Sequence, residues 1–199
     1  MTTRLRFTLL AFALLALVAA PAAFADHHEK GDDDNMMMGK ANPARDAMLA
    51  DFGRATGHLV ELAEAMPEDK YSWRPADGVR SVSEVFMHTA AANFHISAAL
   101  GVEPPEELPE NLEGVTDKAE VISLLKMSIG HGREAIESVE PKQLGDEHEM
   151  FGRTMTTAMM LIILDTHNHE HLGQAIAYAR SMGVVPPWSR PKPADGEGR

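Results

Sequence analysis

Length, composition and charge set the first limits on what this chain can be. The sequence has 199 residues, no cysteine, ten histidines and a formal net charge of −12 at pH 7. That length suffices for one domain with a substantial core, while the acidic balance disfavours nucleic acids and anionic membranes as partners. Without cysteine the chain has no disulfides and no thiolate chemistry of its own, so the histidines are the informative residues.

A cleavable export signal is predicted over residues 1–25. Arg4 and Arg6 precede an uncharged apolar block, residues 7–20, and Ala23-Phe24-Ala25 has the small-x-small pattern that signal peptidase reads. The block is too short to span a bilayer, which takes about 20 residues. We therefore expect a periplasmic or secreted protein without a stable membrane anchor. Without residues 1–25 the chain has 174 residues, with 16 basic and 30 acidic side chains and a net charge of −14.

Two flanking segments have the composition of flexible chain. Residues 26–41 are polar, acidic and rich in histidine and methionine without periodicity, which predicts a disordered tether. His27, His28 and the methionines at 36–38 are ligand types that suit copper, although biased tracts of this kind also occur without a defined site. Residues 189–199 are predicted to form a flexible tail.

Four segments carry apolar residues at every third or fourth position, which is typical of helices with one buried stripe. Capping residues open three of them: Asn42 before Pro43, Ser81 with Glu84 as a capping box, and Thr116 or Asp117. The predicted spans are 44–66, 82–100, 118–139 and about 154–182, the third interrupted by Gly130 and Gly132. No segment alternates with the period of two that strands show, so an all-α fold is predicted.

Helices of this length bury their stripes most simply in a four-helix bundle, which we assign to residues 42–188. Two of the connections, 67–81 and 101–116, are long. The second can cross the bundle from end to end, since about nine extended residues span the roughly 27 Å of such a helix. An up-down-down-up order of the helices is therefore permitted.

The fourth helix contains the pentapeptide HNHEH at positions 167–171. Each residue of a helix turns by about 100°, so His167 and His171 share the inward face while His169 points nearly the opposite way, toward solvent or a rim. Two histidines at this spacing can bind one divalent ion. Position 168, directly after His167, is an asparagine and not the glutamate of the HExxH motif. The zinc proteases that carry HExxH are therefore excluded.

A third ligand must come from another helix, and His88 is the best candidate. Its face of the second helix is lined by alanines, which leave space beside an ion for water or substrate. The alternative is a core histidine that is hydrogen-bonded to a neighbour.

Two motifs together resemble the DinB/YfiT-like superfamily. The first is AMPEDKYSWRPADGVRSVSEVFMHTAAAN, with its Trp-Arg-Pro turn and Ser-capped helix, and the second is HNHEHLGQAIAYARSMGVVPP. The resemblance covers about residues 43–188 and implies an up-down-down-up four-helix bundle. It also implies one divalent ion, nickel or zinc, held by His88, His167 and His171. Relatives include thiol-dependent transferases and an isomerase, and they often form homodimers.

An ion held by three neutral imidazoles keeps its charge and an open position, which predicts a hydrolase or transferase acting on a small molecule. Glu84 and His95 share the face of His88 and are candidate general bases, although Glu84 is also the capping-box glutamate and His95 could simply be packed. Gln174 and Tyr178 could line the pocket or orient a ligand. The competing hypothesis is a non-catalytic extracytoplasmic protein, metal-binding or stress-related, whose metal secures the fold.

Overall fold

The computed structural model describes residues 42–191. The predicted signal peptide and tether, the copper hypothesis on His27 and His28, and residues 192–199 of the predicted tail lie outside the described residues. Within 42–191, no helix combines the length and the apolar character that crossing a bilayer requires.

Four helices dominate the described chain: α1 (Pro43–Ala65), α2 (Val82–Ala99), α3 (Lys118–Ser138) and α4 (Thr157–Ser181). The first turns of α1, α2 and α3 are capped by residues that the sequence predicts. Asn42 accepts a hydrogen bond from the Arg45 amide, and Ser81 and Glu84 form a reciprocal capping box. These caps satisfy amide groups that have no partner within the helix, so α1 and α2 begin and end within a residue of the predicted positions.

The predicted interruption of the third helix at Gly130 and Gly132 is wrong, because α3 is continuous across both glycines. Gly132 is buried, and a Cβ atom there would lie 2.7 Å from Cζ of Phe52 on α1. This glycine therefore permits a close approach of α1 to α3 rather than breaking the helix.

The expectation of no strands is also wrong. Strands β1 (Glu147–Met150) and β2 (Arg153–Thr156) form an antiparallel hairpin, joined by Phe151 and Gly152 with φ of 53° and 70°. Two residues with positive φ suit the right-handed twist of a short hairpin. The strands are polar and largely exposed, so they carry no apolar alternation. The hairpin takes residues 154–156, and α4 accordingly begins at Thr157 rather than near 154.

The core consists of two apolar clusters at opposite ends of the bundle. One contains residues from the ends of α1 and α4 and the beginnings of α2 and α3, including Leu62, Ala179, Val82 and Val121. The other contains residues from the first half of α1, the start of α4 and the far ends of α2 and α3, namely Phe52, Met160, Ile96 and Ile136. Helices α1 and α4 therefore run one way and α2 and α3 the other, in agreement with the up-down-down-up order.

A buried polar layer separates the two apolar clusters. Asn168 on α4 donates to Asn93 on α2 over 2.8 Å, and Asn93 donates back over 3.3 Å. Asn93 also lies 3.4 Å from the hydroxyl of Ser128 on α3. All three side chains are fully buried. Because a buried amide is costly when it lacks a partner, this layer fixes the register of α2 against α4.

Candidate metal centre

Three histidines from two helices converge on one point. His88 on α2 and His167 and His171 on α4 each offer one nitrogen, and these nitrogens all lie within 4.8 Å of one another. The ring centroids are 4.4 to 5.2 Å apart. His171 is buried and the other two are half-buried. The structure thus brings together the three residues that the sequence singled out.

Hydrogen bonds select which nitrogen of His88 and His171 is free. Nδ1 of His88 lies 2.7 Å from Oε1 of Glu113, and Nδ1 of His171 lies 2.9 Å from Oε1 of Gln174. Both oxygens are acceptors, so each Nδ1 carries the proton and each Nε2 presents a lone pair. Among the described residues Nε2 of His167 is buried and has no hydrogen-bond partner. A divalent ion accepting three Nε2 atoms would satisfy this orphaned nitrogen.

Arg80 makes a contact that conflicts with this tautomer. Its guanidinium lies 3.1 Å from Nδ1 of His88 and 3.7 Å from Oε1 of Glu113. A protonated Nδ1 cannot also accept from Arg80. The contact between Nδ1 of His88 and Glu113, at 2.7 Å, is shorter than the contact between Nδ1 and Arg80, at 3.1 Å, and it involves an anion. We therefore assign the proton of Nδ1 to the bond with Glu113. Arg80 then acts on the site through its charge, by pairing with Glu113.

A short chain of hydrogen bonds supports His171. Gln174 donates from Nε2 to the Tyr178 hydroxyl over 3.0 Å, and Tyr178 donates to the Arg80 carbonyl over 3.1 Å. Tyr178 also packs edge to face against Trp73, with ring centroids 5.3 Å apart. Gln174 and Tyr178 therefore orient a candidate ligand, which is one of the two roles that the sequence leaves open.

The environment keeps the two α4 imidazoles neutral. Burial, and then the proximity of His171 and His88, lower the pKa of His167 from 6.5 to about 4. Burial also lowers the pKa of His171. Neutral imidazole is the form that binds a metal ion, so neither ring has to lose a proton near neutral pH.

Neither of the two candidate general bases belongs to the group of side chains whose ligand atoms lie within 4.8 Å of one another, which is His88, His167 and His171. Glu84 uses one oxygen to accept from the Ser81 amide and the other to accept from Arg74, and the Ser81 bond holds the pKa of Glu84 below its usual value. Its capping role therefore explains its position. His95 has an exposed side chain two turns along α2 from His88, and no described hydrogen bond joins it to the three histidines.

Glu113 and Asn168 are contributors that sequence reasoning missed. Glu113 lies on a one-turn 3-10 helix, Leu112–Gly114, within an acidic connection. Nothing in the sequence separates it from the other glutamates of that segment. Asn168 had a usable signal, since it follows the buried Leu164 by one helical turn and lies on the core stripe of α4.

An apolar cavity of about 220 Å³ lies between the start of α1, the end of α3 and the start of α4, and no lining residue is one of the three histidines. The cavity and the histidine cluster are therefore separate features. The cluster reaches solvent at its edge, where the side chains of His88 and Glu113 are 25% and 42% exposed.

Comparisons with known proteins agree with this fold. Residues 51–175 match the family model of the DinB superfamily. The chain therefore belongs to the DinB superfamily, as its two motifs predict.

Individual relatives share the fold at low sequence identity. The protein YjoA of Bacillus subtilis is 29% identical over 126 residues, which cover 62% of this chain and 80% of YjoA. A crystal structure of a DinB-like protein from Bacillus cereus superposes with a TM-score of 0.61 at 22% identity, covering 71% of this chain and 95% of that one. YfiT from Bacillus subtilis superposes with a TM-score of 0.56 at 17% identity, covering 76% and 94%. YfiT is described as a probable metal-dependent hydrolase with an unusual four-helix bundle topology.

Proposed function

We propose that this protein binds one divalent metal ion, nickel or zinc, through His88, His167 and His171 and uses it to catalyse a hydrolase or transferase reaction on a small molecule. The observation that carries the proposal concerns Nε2 of His167, which is buried and has no hydrogen-bond partner within residues 42–191. It lies beside two imidazoles whose Nδ1 atoms are already hydrogen-bonded. The description of YfiT as a probable metal-dependent hydrolase is consistent with this chemistry.

The chemistry follows from the donor set. His88, His167 and His171 would hold the ion as three neutral ligands and leave its double charge uncompensated, so it would supply the means to acidify a water or thiol and to polarise a substrate oxygen. Glu113 and Gln174 hold the rings of His88 and His171 in the orientation that this requires. Arg80, partly exposed beside His88, adds a positive charge at the solvent edge of the site, which favours substrates that carry or develop negative charge.

Metal content tests the binding half of the proposal. After loading with nickel or zinc and removal of free ion, wild-type protein should retain one equivalent at this centre, and His88→Ala and His171→Ala should each lose it. His95→Ala is the matched control, because His95 is an exposed histidine on the same helix as His88. Equal metal retention in wild type and in both ligand variants would reject the centre.

Coordination by exogenous ligands tests the catalytic half. With cobalt as a spectroscopic substitute, azide or a low-molecular-weight thiol should shift the visible spectrum by occupying an open position. Metal-dependent hydrolysis of a chromogenic ester that disappears in His171→Ala would support the hydrolase. A spectrum that does not respond, together with a large fall in melting temperature on chelation, would instead identify a structural metal in a non-catalytic binding protein.

We further propose that the protein is exported and cleaved after Ala25. The proposal is supported by the basic start, the apolar block and the Ala-Phe-Ala site of the sequence. Export makes reducing thiols scarce as cosubstrates, which favours hydrolysis over thiol transfer. Intact mass measurement of protein recovered from the producing cell should give a chain that begins at Asp26, and a full-length chain in the cytosolic fraction would contradict export.

The formation of a homodimer, which the resemblance implies, stays a prediction.

A further inference from the structure

We propose a second divalent-cation site, formed by Asp51 on α1 and by Asp165 and His169 on α4. It uses the middle histidine of HNHEH, which the first centre leaves out. The cation would be one that accepts both oxygen and nitrogen ligands, and Zn²⁺ is a suitable probe.

The geometry of the three side chains is that of a ligand set. One nitrogen of His169 and one carboxylate oxygen from each aspartate all lie within 4.8 Å of one another. Nε2 of His169 is 3.1 Å from Oδ2 of Asp51. Two donors bound to one ion at about 2.0 to 2.2 Å are separated by roughly this distance, so Asp51 and His169 already have the spacing of two ligands of one cation.

Asp165 supplies an independent observation. Its Oδ1 atom is buried and has no hydrogen-bond partner among the described residues. An unpaired carboxylate oxygen removed from water is costly unless a cation neutralises it. His169 and Arg54 contribute positive charge nearby, but neither donates a hydrogen bond to this oxygen in the structure.

Asp51 can serve the site without giving up its existing ion pair. Its Oδ1 atom accepts from Arg54 on the same helix, while Oδ2 faces His169. Asp51 and His169 are half-buried at the seam between α1 and α4. A cation can therefore reach the seam from solvent and still be held by residues from two helices.

The site is physically distinct from the three-histidine centre. His169 lies about 200° around α4 from both His167 and His171, so its ring faces α1 whereas theirs face α2. The sequence predicts that His169 points to solvent or a rim, and the structure places it at the rim of the α1–α4 seam. The donor types also differ, since two carboxylates and one imidazole make a harder set than three imidazoles.

Zinc stoichiometry tests the proposal. The full chain is stripped of metal, equilibrated with Zn²⁺, and the bound ion per chain is counted by mass spectrometry after free ion is removed, with a chromophoric chelator as competitor. Asp165→Asn and His169→Gln should each bind one equivalent fewer than wild type. His171→Ala should keep this equivalent while it loses the one at the other centre.

Isosteric changes and matched controls separate lost ligation from lost folding. Circular dichroism should be the same for wild type, Asp165→Asn and His169→Gln. Asp69→Asn removes an exposed aspartate that pairs only with Lys70 and should retain wild-type stoichiometry. If Asp51→Asn also binds one equivalent of Zn²⁺ fewer than wild type, the assignment of Asp51 as the third ligand is supported. The proposal is overturned if Asp165→Asn and His169→Gln bind as much Zn²⁺ as wild type, whatever the total.

Discussion

Individual residues around the three histidines divide into ligands and the groups that orient them. His88 and His171 each use Nδ1 to contact an acceptor, Glu113 and Gln174 respectively. The periodicity of α4 places Gln174 near His171, because residues three apart are neighbours on a helix. Glu113 comes from a separate connection, 25 positions from His88, so local patterns could not predict this contact.

Replacing Glu113 with glutamine should weaken metal binding at the three-histidine centre. The amide lacks the negative charge that holds the Nδ1 proton of His88, so Nε2 becomes a poorer donor. Loss of such a partner typically lowers affinity about 10- to 100-fold. Competition with a chromophoric chelator measures the change.

Glu110→Gln is the control for that variant, since Glu110 is an exposed glutamate in the same connection. Its affinity for metal should match that of wild type. An unchanged affinity in Glu113→Gln would show that Glu113 does not orient His88.

At the scale of secondary structure, caps and periodicity predicted α1 and α2 well. The asparagine and serine caps and the proline stops act within a few residues, so their effect is readable from sequence. The hairpin was missed because each four-residue strand has a single apolar residue, Met150 or Met155, which is too few to show an alternation. Gly132 was misread because a helix interior tolerates glycine when a neighbour occupies the space of a side chain, here the ring of Phe52.

Two glycine variants in α3 test this account of the helix. Gly132→Ala should destabilise the fold by about 1–3 kcal/mol, because the new methyl group overlaps the Phe52 ring and forces it to move. Gly130→Ala has open space within 4 Å and should stabilise the fold by roughly 0.5–1 kcal/mol through helix propensity. Urea denaturation of both variants gives the two values, and equal effects would contradict a close approach at Gly132.

In the whole molecule, function and packing meet at the middle of the bundle. The Asn93–Asn168 pair divides the apolar core, and His167 and His171 flank Asn168 along α4. A polar layer of this kind costs hydrophobic burial, yet it permits one register only. We infer that the amide pair aligns α2 with α4 so that the three imidazoles meet.

The stability of the metal-free fold should depend on pH through His167. Its pKa is about 4 in the folded chain and 6.5 in the reference state. As the pH falls from about 6.5 to about 4, the unfolded chain gains a proton that the folded chain does not, so the free energy of unfolding decreases. Above about pH 6.5 the contribution of His167 to the free energy of unfolding no longer changes with pH.

Thermal unfolding in the presence of a chelator, recorded between pH 7 and pH 4.5, measures this dependence. The melting temperature of wild type should fall with pH more steeply than that of His167→Gln, which cannot take up the proton. If the melting temperatures of the two proteins fall in parallel with pH, His167 takes up its proton over the same pH range in the folded and the unfolded chain.

The sequence by itself determined the helical segments, the inward face of α4 and, through two motifs, the superfamily and its three histidines. These features depend on residues within a few turns of one another or on a pattern shared with relatives. Tertiary structure decided the partners of those histidines and the α1–α4 cluster of Asp51, Asp165 and His169. Such contacts join residues far apart in the chain, 118 positions in the case of Asp51 and His169. Only the packing of whole helices determines which of many similar acidic side chains meets a given imidazole.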